Sequence, residues 1–197
     1  MKAQRITMDL DLAGNFVINI TERKFSITLD EQGNILYLDV CQNGYDSNRP
    51  RPRLHHTRKG RISKLDNLKI EYDFFTKNIS QIDNLKIEYD FHSGRISKAG
   101  KWPLKYDFRT ERICQIGNVA IKYDFRNDMI SEIGNIKFQY APFSTQLERV
   151  GNSDFEYEFD NITNRNFLKR GKEGRHRCTH NEILEFHYEG IDFYIRL

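Results

Sequence analysis

The chain has 197 residues and is rich in aromatic side chains (14 Phe, 10 Tyr and 1 Trp), which suits one domain or one repeat array with a real hydrophobic core. Its 31 basic and 28 acidic residues nearly cancel to a formal net charge of +3, so the overall charge does not call for a nucleic acid or an anionic membrane as partner. Since the N-terminus shows no apolar signal region, no apolar stretch is long enough to span a bilayer and only three widely spaced cysteines occur, we expect a cytoplasmic protein without membrane contact.

Residues 1–48 are predicted to form β-hairpins. Gly14-Asn15 and Gly33-Asn34 each precede an alternation of apolar and polar residues. A turn signal followed by period-two alternation is typical of a hairpin strand. The same turn signal recurs downstream, so these hairpins are interpreted as diverged relatives of the central repeat.

Residues 49–61 form a basic segment or the end of a degenerate repeat. No acidic residue lies between Asp46 and Asp66, and the segment contributes five candidate binding residues: Arg49, Arg51, Arg53, Lys59 and Arg61. Such a run is usually a solvated loop, but it also suits phosphate binding if a second basic segment lies nearby.

Residues 62–160 are predicted to be an array of seventeen-residue repeats. The phrase LDNLKIEYDF at 65–74 returns as IDNLKIEYDF at 82–91. Four slots recur at this step: isoleucine (Ile62, Ile79, Ile96, Ile113, Ile130), tyrosine (Tyr72, Tyr89, Tyr106, Tyr123, Tyr140), aspartate (Asp73, Asp90, Asp107, Asp124) and phenylalanine (Phe74, Phe91, Phe108, Phe125). A constant step indicates one supersecondary unit per repeat.

Each repeat is predicted to be one β-hairpin, and the array an antiparallel meander whose sheet is curved or partly rolled. Leu68, Ile70, Tyr72 and Phe74 alternate with polar residues, and Asp-Asn or Gly-Asn supplies the turn. The alternative is a β-solenoid with one repeat per coil. A solenoid would stack the equivalent aspartates on neighbouring strands, where like charges repel. A meander separates them by a strand on which Arg61, Arg95 and Arg112 can neutralise them, so the charges favour the meander.

Two structural questions stay open at this point. Ile62 and Leu65 are three residues apart, so either a bulge turns one of them or both sheet faces carry apolar residues. No segment resembles an amphipathic helix, so the apolar face must roll on itself, be covered by the terminal hairpins or meet a second chain.

The aromatic rows and Trp102 are candidate binding features with simpler explanations. The tyrosines and phenylalanines alternate in phase with Leu68 and Ile70, which favours a place in the core over a stacking platform for bases or sugars. Trp102 interrupts the consensus, and it is either an interface anchor or a plug that fills the curvature of the sheet.

Residues 161–197 are predicted to hold a basic loop and a C-terminal hairpin turning at Glu189-Gly190. The basic candidates here are Lys169, Arg170, Arg175 and Arg177. His176, Cys178 and His180 alternate along the chain, a spacing that suits zinc poorly, so no metal and no cofactor is expected. Cys114 occupies a slot that is otherwise serine, which argues against a nucleophile.

The stretch YDFHSGRI at 89–96 resembles the YD repeats of Rhs-type proteins, in which Tyr-Asp is followed by Gly-Arg and an aliphatic residue. The resemblance covers residues 54–157. It implies curved sheets of hairpins that serve as a scaffold, shell or binding surface, and it implies no catalytic residues.

The sequence therefore predicts a non-enzymatic β-repeat scaffold or binding protein that presents an extended sheet surface to a macromolecular partner. The expected surface is the polar strand face with the variable turns. The partner is expected to be a protein, or a second copy of this chain. The alternative is a nucleic-acid-binding protein that uses the basic segments 49–64 and 165–177.

Overall fold

A computed structural model describes residues 5–22, 24–40, 54–56, 60–65, 67–142, 144, 146–160, 165–169, 177–178 and 183–197. This part of the chain consists of strands and turns, which confirms the all-β prediction. None of its elements is a helix that is long and apolar enough to cross a membrane.

The strands follow one another in short hairpins. In chain order they are β1 (Arg5–Asp11), β2 (Phe16–Thr21), β3 (Phe25–Asp30), β4 (Ile35–Val40), β5 (Leu54–His56), β6 (Ile62–Leu65), β7 (Leu68–Tyr72), β8 (Ile79–Ile82), β9 (Leu85–Tyr89), β10 (Ile96–Ala99), β11 (Trp102–Tyr106), β12 (Ile113–Ile116), β13 (Val119–Tyr123), β14 (Ile130–Ile133), β15 (Ile136–Tyr140), β16 (Leu147–Val150), β17 (Ser153–Asp154), β18 (Glu156–Asp160), β19 (Arg165–Lys169), β20 (Arg177–Cys178), β21 (Ile183–Tyr188) and β22 (Ile191–Arg196).

The chain forms two compact units. Unit 1 comprises Met1–Arg5 and Val17–Leu104, and unit 2 comprises Ile6–Phe16 and Lys105–Leu197. In unit 1, β5 to β11 form an antiparallel meander in chain order, and β2, β3 and β4 form an antiparallel sheet.

Unit 2 repeats this plan with other partners. Strands β12 to β17 form an antiparallel meander. Strands β20 to β22 form an antiparallel sheet, and β1 joins it by pairing in parallel with β22, so strands from the two chain ends lie side by side. The C-terminal hairpin around Glu189-Gly190 is confirmed. Strands β18 and β19 form a two-stranded antiparallel sheet.

The predicted hairpin repeat is confirmed in both units. In unit 1, Ile82 pairs with Leu85 across the two-residue turn Asp83-Asn84, and Asp83 has a φ of 51°. Gly134 holds the equivalent position in unit 2 with a φ of 62°. Asp, Asn and Gly tolerate this left-handed conformation, which explains why the slot alternates between Asp and Gly.

A β-bulge resolves the spacing of the repeat isoleucines. Between β9 and β10, Ile96 pairs with Tyr89 and Lys98 pairs with Glu88, so Ser97 is an extra residue on its strand. Ile96 and Ala99, three residues apart, are both fully buried as a result. The bulge alternative is therefore correct, and it recurs between β13 and β14 in unit 2.

In each unit a turn of the N-terminal strands contacts the meander. In unit 1, the turn between β3 and β4 contacts the meander, because the Ile96 amide donates to the Glu31 carbonyl at 2.9 Å. The Ile130 amide donates to the Leu12 carbonyl at the same distance in unit 2. The terminal hairpins, one of the three covers that the sequence allowed, thus contact the meander within each unit.

Glycine is required where these turns meet the meander. Gly33 has a φ of 81°, and a Cβ on it would overlap the Tyr89 ring of unit 1. Gly14 has a φ of 91° and meets the Tyr123 ring of unit 2 in the same way. The Gly-Asn pairs of the N-terminal hairpins thus serve as docking points as well as turns.

Candidate functional site: the phenylalanine turns

Four turns of the meander carry a phenylalanine that points into solvent. We call them the Phe turns: residues 73–78 and 90–95 in unit 1, and residues 107–112 and 124–129 in unit 2. Phe74, Phe91, Phe108 and Phe125 are 77%, 94%, 98% and 87% exposed. The prediction that these phenylalanines belong to the core is therefore wrong.

The reason lies in where each strand ends. Strands β7, β9, β11, β13 and β15 all end at the repeat tyrosine, so the aspartate and phenylalanine that follow belong to the turn. The period-two pattern runs one step past the end of the strand, which made the phenylalanine look like the next core position.

The repeat tyrosines lie at the edge of the core and are tied by hydrogen bonds. In unit 1 the Tyr89 hydroxyl donates to the Ile79 carbonyl at 2.7 Å, and in unit 2 the Tyr123 hydroxyl donates to the Ile113 carbonyl at 2.8 Å. Burial raises the pKa of both tyrosines far above the ordinary value. The hydroxyl explains why this slot is tyrosine and the exposed slot is phenylalanine.

Each of the first three Phe turns is closed by its own aspartate. The Asp90 carboxylate accepts hydrogen bonds from the His92 amide at 3.1 Å, the Ser93 amide at 2.7 Å and the Ser93 hydroxyl at 2.9 Å. Asp73 and Asp107 make the same three bonds to their own turns. These bonds hold the turn backbone rigid around the exposed ring.

These turn hydrogen bonds lower the pKa of Asp73, Asp90 and Asp107, mainly through the amide and hydroxyl of the threonine or serine three residues on. The sequence predicted that arginines of the neighbouring strand neutralise these carboxylates, whereas the largest cause of each pKa shift lies within the turn itself. Arg112 instead binds the next turn of unit 2, donating to the Asp128 carbonyl at 2.8 Å.

Arg61 makes the equivalent contact in unit 1, where it donates to the Lys77 carbonyl at 3.4 Å. Its guanidinium also lies 5.3 Å from the centre of the Tyr72 ring. Such arginines tie one turn to the next, so the rings stand on a linked framework.

Cationic or aromatic side chains lie next to the exposed rings. The Lys77 ammonium lies 4.4 Å from the centre of the Phe74 ring, and the Arg126 guanidinium lies 5.4 Å from that of Phe125. His92 meets Phe91 edge-on with ring centres 5.5 Å apart. Aromatic side chains and arginine are enriched in protein interfaces.

The polar face of the strands carries its own counterions. The Lys98 ammonium lies 3.5 Å from the Glu88 carboxylate in unit 1, and Lys122 lies 3.2 Å from Glu132 in unit 2. Exposed pairs of this kind contribute at most about 1 kcal/mol to stability. These pairs offset part of the charge on the strand face.

The structure describes the side chains of two of the ten predicted binding residues. Arg61 is half-buried and makes the contacts given above. Trp102 is 5% exposed and occupies the core slot of Leu68 and Leu85, so little of its ring is accessible to a partner. The side chains of Lys169 and Arg177 are not described. Six further candidates lie outside the described residues: Arg49, Arg51, Arg53, Lys59, Arg170 and Arg175.

The remaining candidates for chemistry are the His176, Cys178 and His180 group and Cys114. His176 and His180 lie outside the described residues. Cys114 is half-buried in the bulge slot, and burial raises the pKa of its thiol, which makes it a weaker nucleophile at neutral pH. The phenylalanine row is the feature that sequence reasoning missed, and the position of the Asp-initiated turn was the signal available for it.

A scan against protein-family models gives no match for the chain, and a search of curated proteins gives none either. The YD-repeat resemblance is thus supported only at the level of an all-β chain with a long antiparallel meander of hairpins.

Proposed function

We propose that this chain is a non-enzymatic β-repeat binding protein or scaffold that contacts a macromolecular partner through its Phe turns. The observation that carries the proposal is the recurrence of a largely exposed phenylalanine at the same place in four turns, of which the first three are closed by the hydrogen bonds of their own aspartate. Burying a phenylalanine side chain stabilises a fold by about 1.5–3 kcal/mol. Placing this residue in solvent forgoes that gain, which is expected where the ring serves binding.

The rigidity of the turns supports the same proposal. Binding through a mobile loop costs conformational entropy, and a turn already fixed by its own hydrogen bonds avoids much of that cost. Asp90 supplies three such bonds in the second turn, while the residue after the phenylalanine varies among Phe75, His92, Arg109 and Arg126. A phenylalanine at a constant position can serve as the anchor of each contact, and the variable residue that follows it can make a different contact with the partner in each turn.

A protein is the partner class that the charges favour. The second turn carries Asp90 and Arg95, and the fourth carries Asp124, Arg126 and Asp128, so neither is strongly positive. A stacking platform for single-stranded nucleic acid combines its aromatics with an excess of positive charge. Apolar pockets on a protein surface, flanked by charges of both signs, complement these turns better. Nucleic-acid binding through the basic segments stays the alternative prediction.

The test compares turn variants with a matched control. Phe74→Ser with Phe91→Ser removes the rings of unit 1, and Phe108→Ser with Phe125→Ser removes those of unit 2. Leu36→Ser removes an apolar side chain that is 56% exposed on β4, outside the turns. Proteins captured from the native host are identified, and the affinity of a purified partner is then measured by calorimetry.

We expect a specific protein that wild type and Leu36→Ser retain and that the turn variants lose, with each ring contributing about tenfold or more in affinity. Equal retention by all variants would contradict the proposal. Salt-sensitive retention on a DNA or heparin column that disappears when Arg49, Arg51, Arg53 and Lys59 are neutralised would favour the nucleic-acid alternative.

A further inference from the structure

A cleft opens in unit 2 beside the fourth Phe turn. Its volume is about 760 Å³, within the range usual for small-molecule sites. It is lined by Asp124, Arg126, Asn127, Phe138, Gln139 and Tyr140, together with the start of the segment that follows β15. It belongs to this turn and the neighbouring strand, so it does not depend on the exposed rings of the Phe turns.

The repeat departs from its consensus where this cleft lies. Asn127 stands where the earlier turns have threonine or serine, and the Asp124 carboxylate accepts one hydrogen bond, from the Arg126 amide at 2.7 Å, instead of three. After Tyr140, the next turn begins with Ala141-Pro142 in place of Asp-Phe. Gln139 replaces the charged residue that every earlier repeat carries in its slot.

These departures leave hydrogen-bonding groups unused at the cleft. The Arg126 guanidinium and the Gln139 amide bind no hydrogen-bond partner within the described part of the chain. The Asn127 carbonyl oxygen accepts from the Met129 amide at 3.0 Å, which leaves the amide nitrogen of that side chain without a described partner. One oxygen of Asp124 is likewise available. Donors and acceptors therefore surround the cleft.

The chemistry of these groups points to a neutral ligand with many hydroxyls. Asp124 and Arg126 offset one another, so the cleft has no net charge to attract an ion. The amides of Asn127 and Gln139 can each donate and accept, and Tyr140 adds aromatic carbon. A sugar ring presents the matching combination of hydroxyl groups and apolar C–H faces, and it can exchange hydrogen bonds with both amides and the carboxylate.

We propose that this cleft binds a neutral sugar, either free or as the end of a glycan, with Gln139, Asn127, Asp124 and Arg126 as its hydrogen-bonding groups. The site goes beyond the proposed contact through the Phe turns.

The experiment uses substitutions that the repeat itself provides. Gln139→Lys installs the residue that Lys122 has in the preceding repeat, and Asn127→Thr installs that of Thr110, so both variants keep a side chain that the fold already accepts. Lys122→Gln and Thr110→Asn make the reverse changes away from the cleft as controls. Binding of glucose, galactose, N-acetylglucosamine, maltose, cellobiose and lactose is followed by saturation-transfer NMR and calorimetry, and a glycan array tests attached sugars.

We expect at least one neutral sugar to bind wild type and both controls, and to bind Gln139→Lys and Asn127→Thr roughly five- to tenfold more weakly, as the loss of one hydrogen bond implies. Binding on the array but not in solution would assign the site to a glycan end. Failure of wild type to bind any probe, binding that both cleft variants retain, or displacement of the sugar by acetate or citrate would overturn the proposal.

Discussion

At the scale of single residues, the tyrosine and the phenylalanine of one repeat differ in role because of one hydroxyl group. The Tyr89 hydroxyl donates to the Ile79 carbonyl, which ties the ring to the margin of the sheet. Phe91 lies two residues further on, beyond the end of β9, and is 94% exposed. The hydroxyl thus separates a structural aromatic from one that is available for binding.

Removing that hydroxyl tests its structural role. Tyr89→Phe is expected to lower the free energy of unfolding by about 0.5–1.5 kcal/mol, since the ring remains and one hydrogen bond is lost. Denaturant titration measures the change. Tyr37→Phe on the exposed face of β4 is the control, and it should leave the midpoint unchanged; equal effects of the two substitutions would contradict the assignment.

At the scale of one element, the Phe turn is a unit built around its aspartate. The carboxylate of Asp90 collects two amides and a hydroxyl, which lowers its pKa. A lowered pKa in the folded state means that the charged form stabilises the fold. That contribution is complete above the ordinary aspartate value of about 3.9 and is lost as the pH falls through the lower folded value.

Asp90→Asn is therefore expected to be less stable than wild type at pH 7, with a difference that stays constant down to about pH 5 and disappears in more acid solution. Urea titrations between pH 7 and pH 2 measure it. The same series in 1 M salt is the control, because screening weakens surface charge pairs and leaves turn hydrogen bonds in place. A difference that is independent of pH would show that the carboxylate charge has no part in the turn.

Two glycines in turns of unit 1 allow a second prediction at this scale. Gly33 and Gly94 both have positive φ, 81° and 70°, but a Cβ would overlap the Tyr89 ring only at Gly33. Gly94→Ala should cost about 1–2 kcal/mol for the left-handed conformation. Gly33→Ala should cost about 1–3 kcal/mol more, because the ring must move. Equal losses in denaturant titration would mean that the Tyr89 contact is absent.

The hairpins could be predicted from the sequence because their signals are local. Period-two alternation from Leu85 to Tyr89 and the turn chemistry at Asp83 both lie within one repeat. The bulge at Ser97 was one of two alternatives, because the spacing of the isoleucines alone does not show which residue is left out of the pairing between strands. The exposure of Phe91 was missed because the alternation of apolar and polar residues does not show where a strand ends. Asp90, which starts the turn, also occupies a polar position of that alternation.

At the scale of the whole molecule, the long-range pairings had no signal in the sequence. Strand β1 pairs in parallel with β22 from the opposite end of the chain, and Arg196 binds the Asp9 carboxylate at 2.8 Å. Two parallel strands that lie far apart in the chain are not joined by a tight turn, so no turn residues in the sequence indicate that they pair. The contacts between the terminal strands and the meanders also join residues far apart in the chain, so composition and periodicity could only list the alternatives for the apolar face.

The proposed function depends on the phenylalanines of the Phe turns being in solvent. The most direct test is the relaxation of phenylalanine ring protons by a soluble, inert gadolinium chelate in NMR spectra of the whole chain. We expect strong relaxation for the rings of Phe74, Phe91, Phe108 and Phe125, and little for the buried rings of Phe25 and Phe193. Protection of the four turn rings to the level of the two buried ones would place them in the core and contradict the account.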